Sequence, residues 1–243
     1  MTPDRRHFLG LAAGVALLPA AACAQEESYE AKRQRQLATD WPWLGRYAAD
    51  NASLAASGRP TDIVFMGDSI TEGWVGKRPE FFHAGRVGRG ISGQTTPQMV
   101  LRMMADVIAH RPKFVHIMAG TNDIAGNTGP ITPQQTHDNL AMMVMLARAA
   151  KIGVLLASVP PADAFPWRPG LATVAPIRAL NAWIKTYAAQ TGATFVDYTP
   201  ALATPGGAMK PGFADDGVHP TAAGYAAMEA VLTPILRAKR LAV

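Results

Sequence analysis

The sequence predicts a three-layer α/β/α sandwich with a central, mostly parallel sheet. Short apolar runs, suited to burial on both faces, alternate along the chain with longer amphipathic segments. Each connection is long enough to hold a helix, as parallel strands require, and such crossovers are nearly always right-handed. The 243 residues, 49% of them apolar and 17% charged, suffice for one globular domain with a substantial core.

Four apolar runs are predicted to be strands and four longer segments to be helices. The strands are expected at 63–66, 114–118, 154–159 and 194–196. The helices are expected near 97–109, 133–151, 175–190 and 221–238. A polar segment at 26–56, interrupted at Pro42, predicts two short helices outside the sheet. Ligands of such sheets bind outside the carboxyl ends of the strands, so reactive residues are expected just after them.

The N-terminus has the layout of an export signal. Arg5 and Arg6 precede an apolar run, Phe8 to Ala24, that is too short and too rich in Gly and Ala to span a membrane stably. Residues 4–10 resemble a twin-arginine signal, which directs export of folded proteins. Residues 1–24 are therefore predicted to be a signal peptide, and the protein to be exported to the periplasm or secreted from a bacterium.

Cys23 leaves the processing of this signal open. Cleavage after Ala22 or Ala24 fits the small residues there, whereas cleavage before Cys23 would make a lipoprotein. Ala20 stands where a lipoprotein signal usually has Leu, which favours the first reading. Membrane contact is expected only if Cys23 carries a lipid. Cys23 is the only cysteine, so no disulfide forms within the chain.

The charge balance argues against a nucleic-acid partner. A formal net charge of +5 is a mild excess for a chain of this length. Such a mild excess more often serves solubility than nucleic-acid binding.

Three short motifs carry candidate reactive groups. Gly67-Asp68-Ser69 ends the first predicted strand, Gly120-Thr121-Asn122-Asp123 follows the strand at 114–118, and Asp215-Asp216-Gly217-Val218-His219-Pro220 lies near the C-terminus. Each motif alone has an ordinary structural explanation, since serines in such turns commonly cap the next helix. Their order along the chain is more informative than any one of them.

Together with Gly90-Ile91-Ser92-Gly93, these motifs match in order the four blocks of the SGNH (GDSL-like) hydrolase family, which the sequence resembles. The blocks extend from Asp62 to Tyr225. The resemblance implies the flavodoxin-like SGNH fold for a catalytic domain at 59–243, preceded by a helical segment at 25–58. It also implies ester hydrolysis that needs neither a metal nor an organic cofactor.

The chemistry of the motif residues agrees with this resemblance. A serine hydroxyl is a weak nucleophile at neutral pH and needs a neutral imidazole to accept its proton, a role that His219 would play for Ser69. Asp216, three residues upstream, would orient the imidazole through its other nitrogen. The resemblance assigns the oxyanion hole to the backbone N–H groups of Ser69 and Gly93 and to the side-chain amide of Asn122.

Residues 88–93 also spell G-x-G-x-x-G, the pattern of a dinucleotide-binding turn. That motif wants an acidic residue about 20 positions later, where this chain has Arg111-Pro112-Lys113 instead. A nucleotide site is therefore disfavoured.

Several residues near the motifs are expected in loops or on the surface. Four aromatic residues are expected in loops that border the site: Trp74, Phe81, Phe165 and Trp167. Arg89 or Arg168 could meet an anionic group of the substrate, but the default expectation for both is a solvated surface charge.

The leading hypothesis is a serine ester hydrolase that forms an acyl-enzyme with small acyl esters, among them O-acetylated carbohydrates. Lysophospholipase or thioesterase activity, and O-acyl transfer in the cell envelope by the same residues, remain open alternatives. A non-catalytic envelope-binding protein and a flavodoxin-like nucleotide binder are weaker alternatives on the same fold. Acyl-chain length and oligomeric state are left open.

Overall fold

The computed structural model describes residues 28–83 and 85–241, and within them a five-stranded parallel sheet lies between two layers of helices. The strands are β1 (Ile63–Gly67), β2 (Arg86–Gly90), β3 (Phe114–Met118), β4 (Gly153–Ala157) and β5 (Thr194–Val196). Their order across the sheet is β2-β1-β3-β4-β5, with all neighbours parallel. The predicted three-layer α/β/α sandwich is confirmed.

Nine α-helices occur in the described residues. They are α1 (Tyr29–Thr39), α2 (Ala48–Ser57), α3 (Ser69–Lys77), α4 (Thr96–Asp106), α5 (Thr121–Ala125), α6 (Pro133–Ala149), α7 (Val174–Thr191), α8 (Thr199–Leu202) and α9 (Ala222–Ala238). Short 3-10 turns lie at Leu44–Tyr47, Pro79–Phe81 and Ile108–His110. Helices α4, α6 and α7 pack along one face of the sheet, and α3 packs with α9 on the other. Within the described part of the chain, no helix has the length and apolar character needed to cross a membrane.

Strand β2 was absent from the sequence prediction. It reads Arg-Val-Gly-Arg-Gly, with one β-branched residue and two glycines, so strand propensity does not reveal it. The sheet forms there because the glycines let α3 approach closely. A Cβ on Gly88 would lie 2.2 Å from the Val75 side chain, and one on Gly90 would lie 2.1 Å from the backbone nitrogen of Glu72.

The same packing explains the G-x-G-x-x-G pattern. Gly88 and Gly90 lie inside β2 against α3, and only Ile91 to Gly93 form the turn that follows. The glycine spacing is therefore accounted for by contact between a helix and a strand.

Aromatic side chains fill one side of the sheet beneath α3. Phe65 of β1 contacts Trp74 and Phe81 edge-on, with ring centroids 5.7 and 5.8 Å apart. Trp74 stacks on Tyr225 of α9. Trp74 and Phe81 are thus core residues, and the expectation that they border the site in loops is wrong. Trp74 was misread because α3 itself was not predicted. Phe165 does lie in the loop after β4, but it is buried there and stacks on Trp167.

The region before β1 contains α1, the turn at Leu44–Tyr47 and α2. Helix α2 and the turn pack on α4, and Asn51 donates a hydrogen bond to Asp106 at 2.7 Å. The predicted signal peptide, residues 1–24, and Cys23 lie outside the described residues.

The contact between Gly90 and α3 gives a test of this packing. Gly90→Ala should destabilise the protein by about 3 kcal/mol or more, because the new methyl would overlap backbone that cannot move aside cheaply. Urea unfolding of purified variants measures the effect.

Gly76→Ala is the matched control in α3. Gly76 is exposed and has no atom near the added methyl, so this variant should gain about 0.5–1 kcal/mol of helix propensity. Equal effects of the two substitutions would contradict the packing described.

Candidate functional site

The motif residues meet at the carboxyl ends of β1 and β3. The chain leaves β1 toward β2 on one side and leaves β3 toward β4 on the other, so a crevice opens between these two strand ends. Ser69 follows β1 and Asn122 follows β3. The crevice is the position where sheets of this order bind their ligands.

Ser69 is held at the first position of α3. Asp68 caps this helix, its carboxylate accepting a hydrogen bond from the backbone N–H of Ile70 at 2.9 Å. Ser69 Oγ lies 2.9 Å from His219 Nε2, although the two residues are 150 positions apart in the chain.

The loop before α9 orients His219. Asp216 Oδ2 lies 2.8 Å from His219 Nδ1, and Oδ1 accepts the backbone N–H groups of Val218 and His219 at 3.0 and 2.8 Å. Gly217 permits this tight turn with its φ of 84°. Lys77 of α3 donates to the carbonyl of Pro220 at 3.0 Å, which ties the loop to the helix that carries Ser69.

The hydrogen bond to Asp216 fixes the tautomer of His219: in the neutral form of the ring, the proton lies on Nδ1. Burial alone would raise the pKa of Asp216, but hydrogen bonds from the backbone and ring of His219 and from Val218 bring that pKa below its ordinary value. An ionised Asp216 only accepts, so Nδ1 must donate to it. The lone pair of Nε2 then faces the hydroxyl of Ser69.

Glu72 holds the turn that follows β2. Its carboxylate accepts the backbone N–H of Ser92 at 2.8 Å and also the Ser92 hydroxyl, and it pairs with Arg46 at 3.0 Å. The turn contains Gly93 at a φ of 75°, a conformation that favours glycine. Gly93 lines the same cleft as Ser69.

Asn122 is fixed from both ends of its amide. Nδ2 donates to the carbonyl of Gln94 at 2.9 Å, and Oδ1 accepts a hydrogen bond from Asn127 Nδ2 at 2.7 Å. Trp167 Nε1 donates in turn to Asn127 Oδ1 at 3.2 Å. The Asn122 side chain is buried, and its second N–H remains for a ligand.

The structure therefore brings together Ser69, His219, Asp216, Gly93 and Asn122. Ser69, Gly93, Asn122 and His219 line one open cleft of about 580 Å³. Asp216 lies behind His219 and does not line it.

Three residues that line the cleft, Glu30, Arg33 and Asn127, were not identified from the sequence. Glu30 and Arg33 come from α1, and Asn127 follows α5. Trp167 was expected at the site and does line the cleft. Arg168 was expected to be a solvated charge but also lines the cleft, its Nη2 donating to the carbonyl of Gly126 at 3.0 Å. Glu30 and Arg33 were missed because they reach the cleft from a distant segment, and Asn127 because it lies outside the motif, five residues after Asn122.

Arg89 is also corrected. It lies buried in β2, where Nε donates to Asn51 Oδ1 at 2.9 Å and the guanidinium stacks over Tyr47. It was taken for a surface charge because β2 was not predicted. Residues 28–83 and 85–241 contain no group of three or more His, Cys, Asp or Glu side chains arranged to hold a metal ion.

Comparison with known proteins identifies the family. Residues 65–227 match the GDSL-like Lipase/Acylhydrolase family, which covers more than half of the chain. The chain belongs to this family.

Two solved structures resemble this chain over most of its length. A GDSL-like lipase from Bacteroides thetaiotaomicron is 44% identical, with a TM-score of 0.77, and the match covers 82% of this chain and 100% of that one. A candidate acylhydrolase from Bacteroides fragilis is 42% identical, with a TM-score of 0.78 over 82% of this chain and 98% of that one.

A lipoprotein of Bacillus subtilis, the uncharacterized YqeF, is 33% identical over 113 residues. The match covers 39% of this chain and 46% of YqeF, so it spans less than half of that protein.

The burial of Asp68 predicts a pH-dependent cost to stability. Burial raises the pKa of Asp68 to about 6, from an ordinary value of 3.8. The native protein therefore holds this proton more tightly than the unfolded chain does. The free energy of unfolding should fall by about 2 kcal/mol through this group as the pH rises from about 4 to 7.

The variant Asp68→Asn tests this cost, because Asn still caps the helix but cannot ionise. Urea unfolding at both pH values should show that the free energy of unfolding of the variant increases relative to that of the native protein as the pH rises. A stability difference that is the same at both pH values would contradict the raised pKa.

Proposed function

We propose that this protein hydrolyses esters through an acyl-enzyme on Ser69, with His219 as general base and Asp216 as its orienting partner. The observation that carries the proposal is the chain of short contacts from Ser69 Oγ to His219 Nε2 and from His219 Nδ1 to Asp216, at 2.9 and 2.8 Å. Membership of the GDSL-like Lipase/Acylhydrolase family supports it.

The reaction proceeds in two halves. Ser69 Oγ attacks the ester carbonyl carbon while its proton passes to Nε2 of His219, giving a tetrahedral intermediate with a negative oxygen. His219 then returns the proton to the departing alkoxide, and the acyl group stays on Ser69. Water, deprotonated by the same imidazole, attacks the acyl-enzyme and releases the carboxylic acid and Ser69.

The negative oxygen of the intermediate needs donors that are in place beforehand. We assign this oxyanion hole to the backbone N–H groups of Ser69 and Gly93 and to the free N–H of Asn122. The hydrogen bonds that hold Asn122 and the turn at Gly93 support the assignment, because a fixed donor needs no reorganisation during the reaction.

The substrate class proposed is a small acyl ester, including O-acetylated carbohydrate. The cleft is open, and the indole of Trp167 lies beside the reacting residues, its ring centroid 5.9 Å from that of His219. An exposed aromatic face at this position suits stacking against a sugar ring.

We also propose that the protein is exported. The signal-like residues 1–24 support this, and the similarity to a lipoprotein of Bacillus subtilis adds the possibility of lipid on Cys23. The mass of the protein isolated from its host would distinguish a lipidated Cys23 from a cut after Ala22 or Ala24.

Hydrolysis of p-nitrophenyl acetate tests the proposed residues. Ser69→Ala and His219→Ala should each lose at least about a thousandfold in kcat, because nucleophile and base act as one unit.

The matched controls are Ser57→Ala and His137→Ala, whose side chains do not line the cleft. Both should keep native activity. A native protein without esterase activity, or a fully active Ser69→Ala, would overturn the proposal.

The fixing of Asn122 by Asn127 gives a second prediction. Asn122→Ala should lower kcat by about a hundredfold or more, and Asn127→Ala by about tenfold with little change in KM, because the amide loses its orientation. The double variant should be no slower than Asn122→Ala alone. Losses that multiply in the double variant would show that Asn127 does not act through Asn122.

A further inference from the structure

Arg33 of α1 brings a cation to the edge of the proposed oxyanion hole. Its guanidinium lies directly over Gly93, since a Cβ added to Gly93 would be 2.8 Å from Nη1 and 3.1 Å from Nη2. Arg33 lines the cleft together with Ser69 and His219. The Arg33 side chain is half-buried, so contacts with the protein restrict its position while part of it remains accessible to solvent.

The Arg33 guanidinium forms no polar contact within the part of the chain that the structure describes. Among the residues that the structure describes, Arg33 has neither a hydrogen-bond partner nor an ion-pair partner for its side chain. The other cation of the cleft, Arg168, is committed to the carbonyls of Ala125 and Gly126 at 2.5 and 3.0 Å. A half-buried Arg keeps five donors in a planar fork that matches a carboxylate or phosphate.

We propose that Arg33 binds an anionic group on the substrate, so that the preferred esters carry a carboxylate or a phosphate near the scissile bond. This inference rests on the proposed ester hydrolysis. Arg168 adds a second positive charge to the lining of the cleft, with its Nε and Nη2 bound to backbone carbonyls. The lining of the cleft thus holds two arginines and one carboxylate, Glu30. Glu30 is exposed and accepts a hydrogen bond from Gln34 at 2.7 Å.

The anionic group could belong to the alcohol or to the acyl part of the ester, and two substrate pairs distinguish these sources. Para-acetoxybenzoate and its methyl ester differ in charge on the alcohol side. Mono-p-nitrophenyl adipate and p-nitrophenyl hexanoate differ in charge on the acyl side. For each pair the measured quantity is the ratio of kcat/KM for the anionic member to that for the neutral member.

Arg33→Ala should lower this ratio by roughly ten- to a hundredfold in at least one pair, the range expected for a charge-assisted hydrogen bond. Arg33→Lys should restore part of it, because the charge returns without the fork. Glu30→Gln should raise the ratio about twofold by removing the opposing charge. Each variant is compared with the native protein at the same ionic strength.

Lys32→Ala is the control, since Lys32 is an exposed cation one residue earlier on the same helix. It should leave the ratio and the activity unchanged. The competitive inhibition constants of para-hydroxybenzoate and of its methyl ester, measured against p-nitrophenyl acetate, give a second readout in which the charged ligand itself is not turned over.

The two proposals fail separately. Hydrolysis of neutral esters by the native protein, combined with ratios that Arg33→Ala leaves unchanged in both pairs, overturns only the anion site. An equal effect of Lys32→Ala also overturns it, because the charge would then act through the general field and not by contact. A native protein that hydrolyses none of the four esters overturns the proposed function itself.

Discussion

A fully buried guanidinium, that of Arg102 in α4, joins the parts on which the site depends. It pairs with Asp106 at 2.7 Å and donates to the carbonyls of Gly67 and Arg89, at the ends of β1 and β2. Its Nε donates to the side-chain oxygen of Gln94, and the backbone carbonyl of Gln94 accepts a hydrogen bond from Asn122. An unpaired charge at this depth would cost several kcal/mol, so all of these acceptors must stay in place.

The segment before β1 is coupled to the same region. The carbonyl of Pro42 accepts a hydrogen bond from Gln94 at 2.7 Å, and the carbonyl of Trp41 accepts one from Gln98 at 2.6 Å. Helix α1 then contributes Arg33 to the cleft. The site is therefore built on one side by strand ends and on the other by a segment that is remote from the motif blocks in sequence.

The contrast between predicted and unpredicted elements follows from how each is stabilised. Strand β1 was predicted because Ile63 to Met66 are apolar and buried on both faces of the sheet. Strand β2 was not predicted, because Gly88 and Gly90 allow α3 to pack closely but do not favour a strand themselves. Ser69, Asn122 and His219 were found because their motifs are local, whereas Arg102 acts through the carbonyls of Gly67 and Arg89, which only the fold brings near. Asn127 was missed although it lies only five residues after Asn122, because it stands outside the motif.

The sequence by itself determined the three-layer class, most of the sheet, and the motifs that carry the proposed nucleophile, base and orienting carboxylate. Hydrophobic periodicity and short motifs are local properties, so they can be read along the chain. Only the tertiary structure brings Ser69 Oγ to 2.9 Å from His219 Nε2, although the two residues are 150 positions apart in the chain. It alone placed Arg33 over Gly93, because contacts between distant segments depend on packing geometry and leave no local pattern.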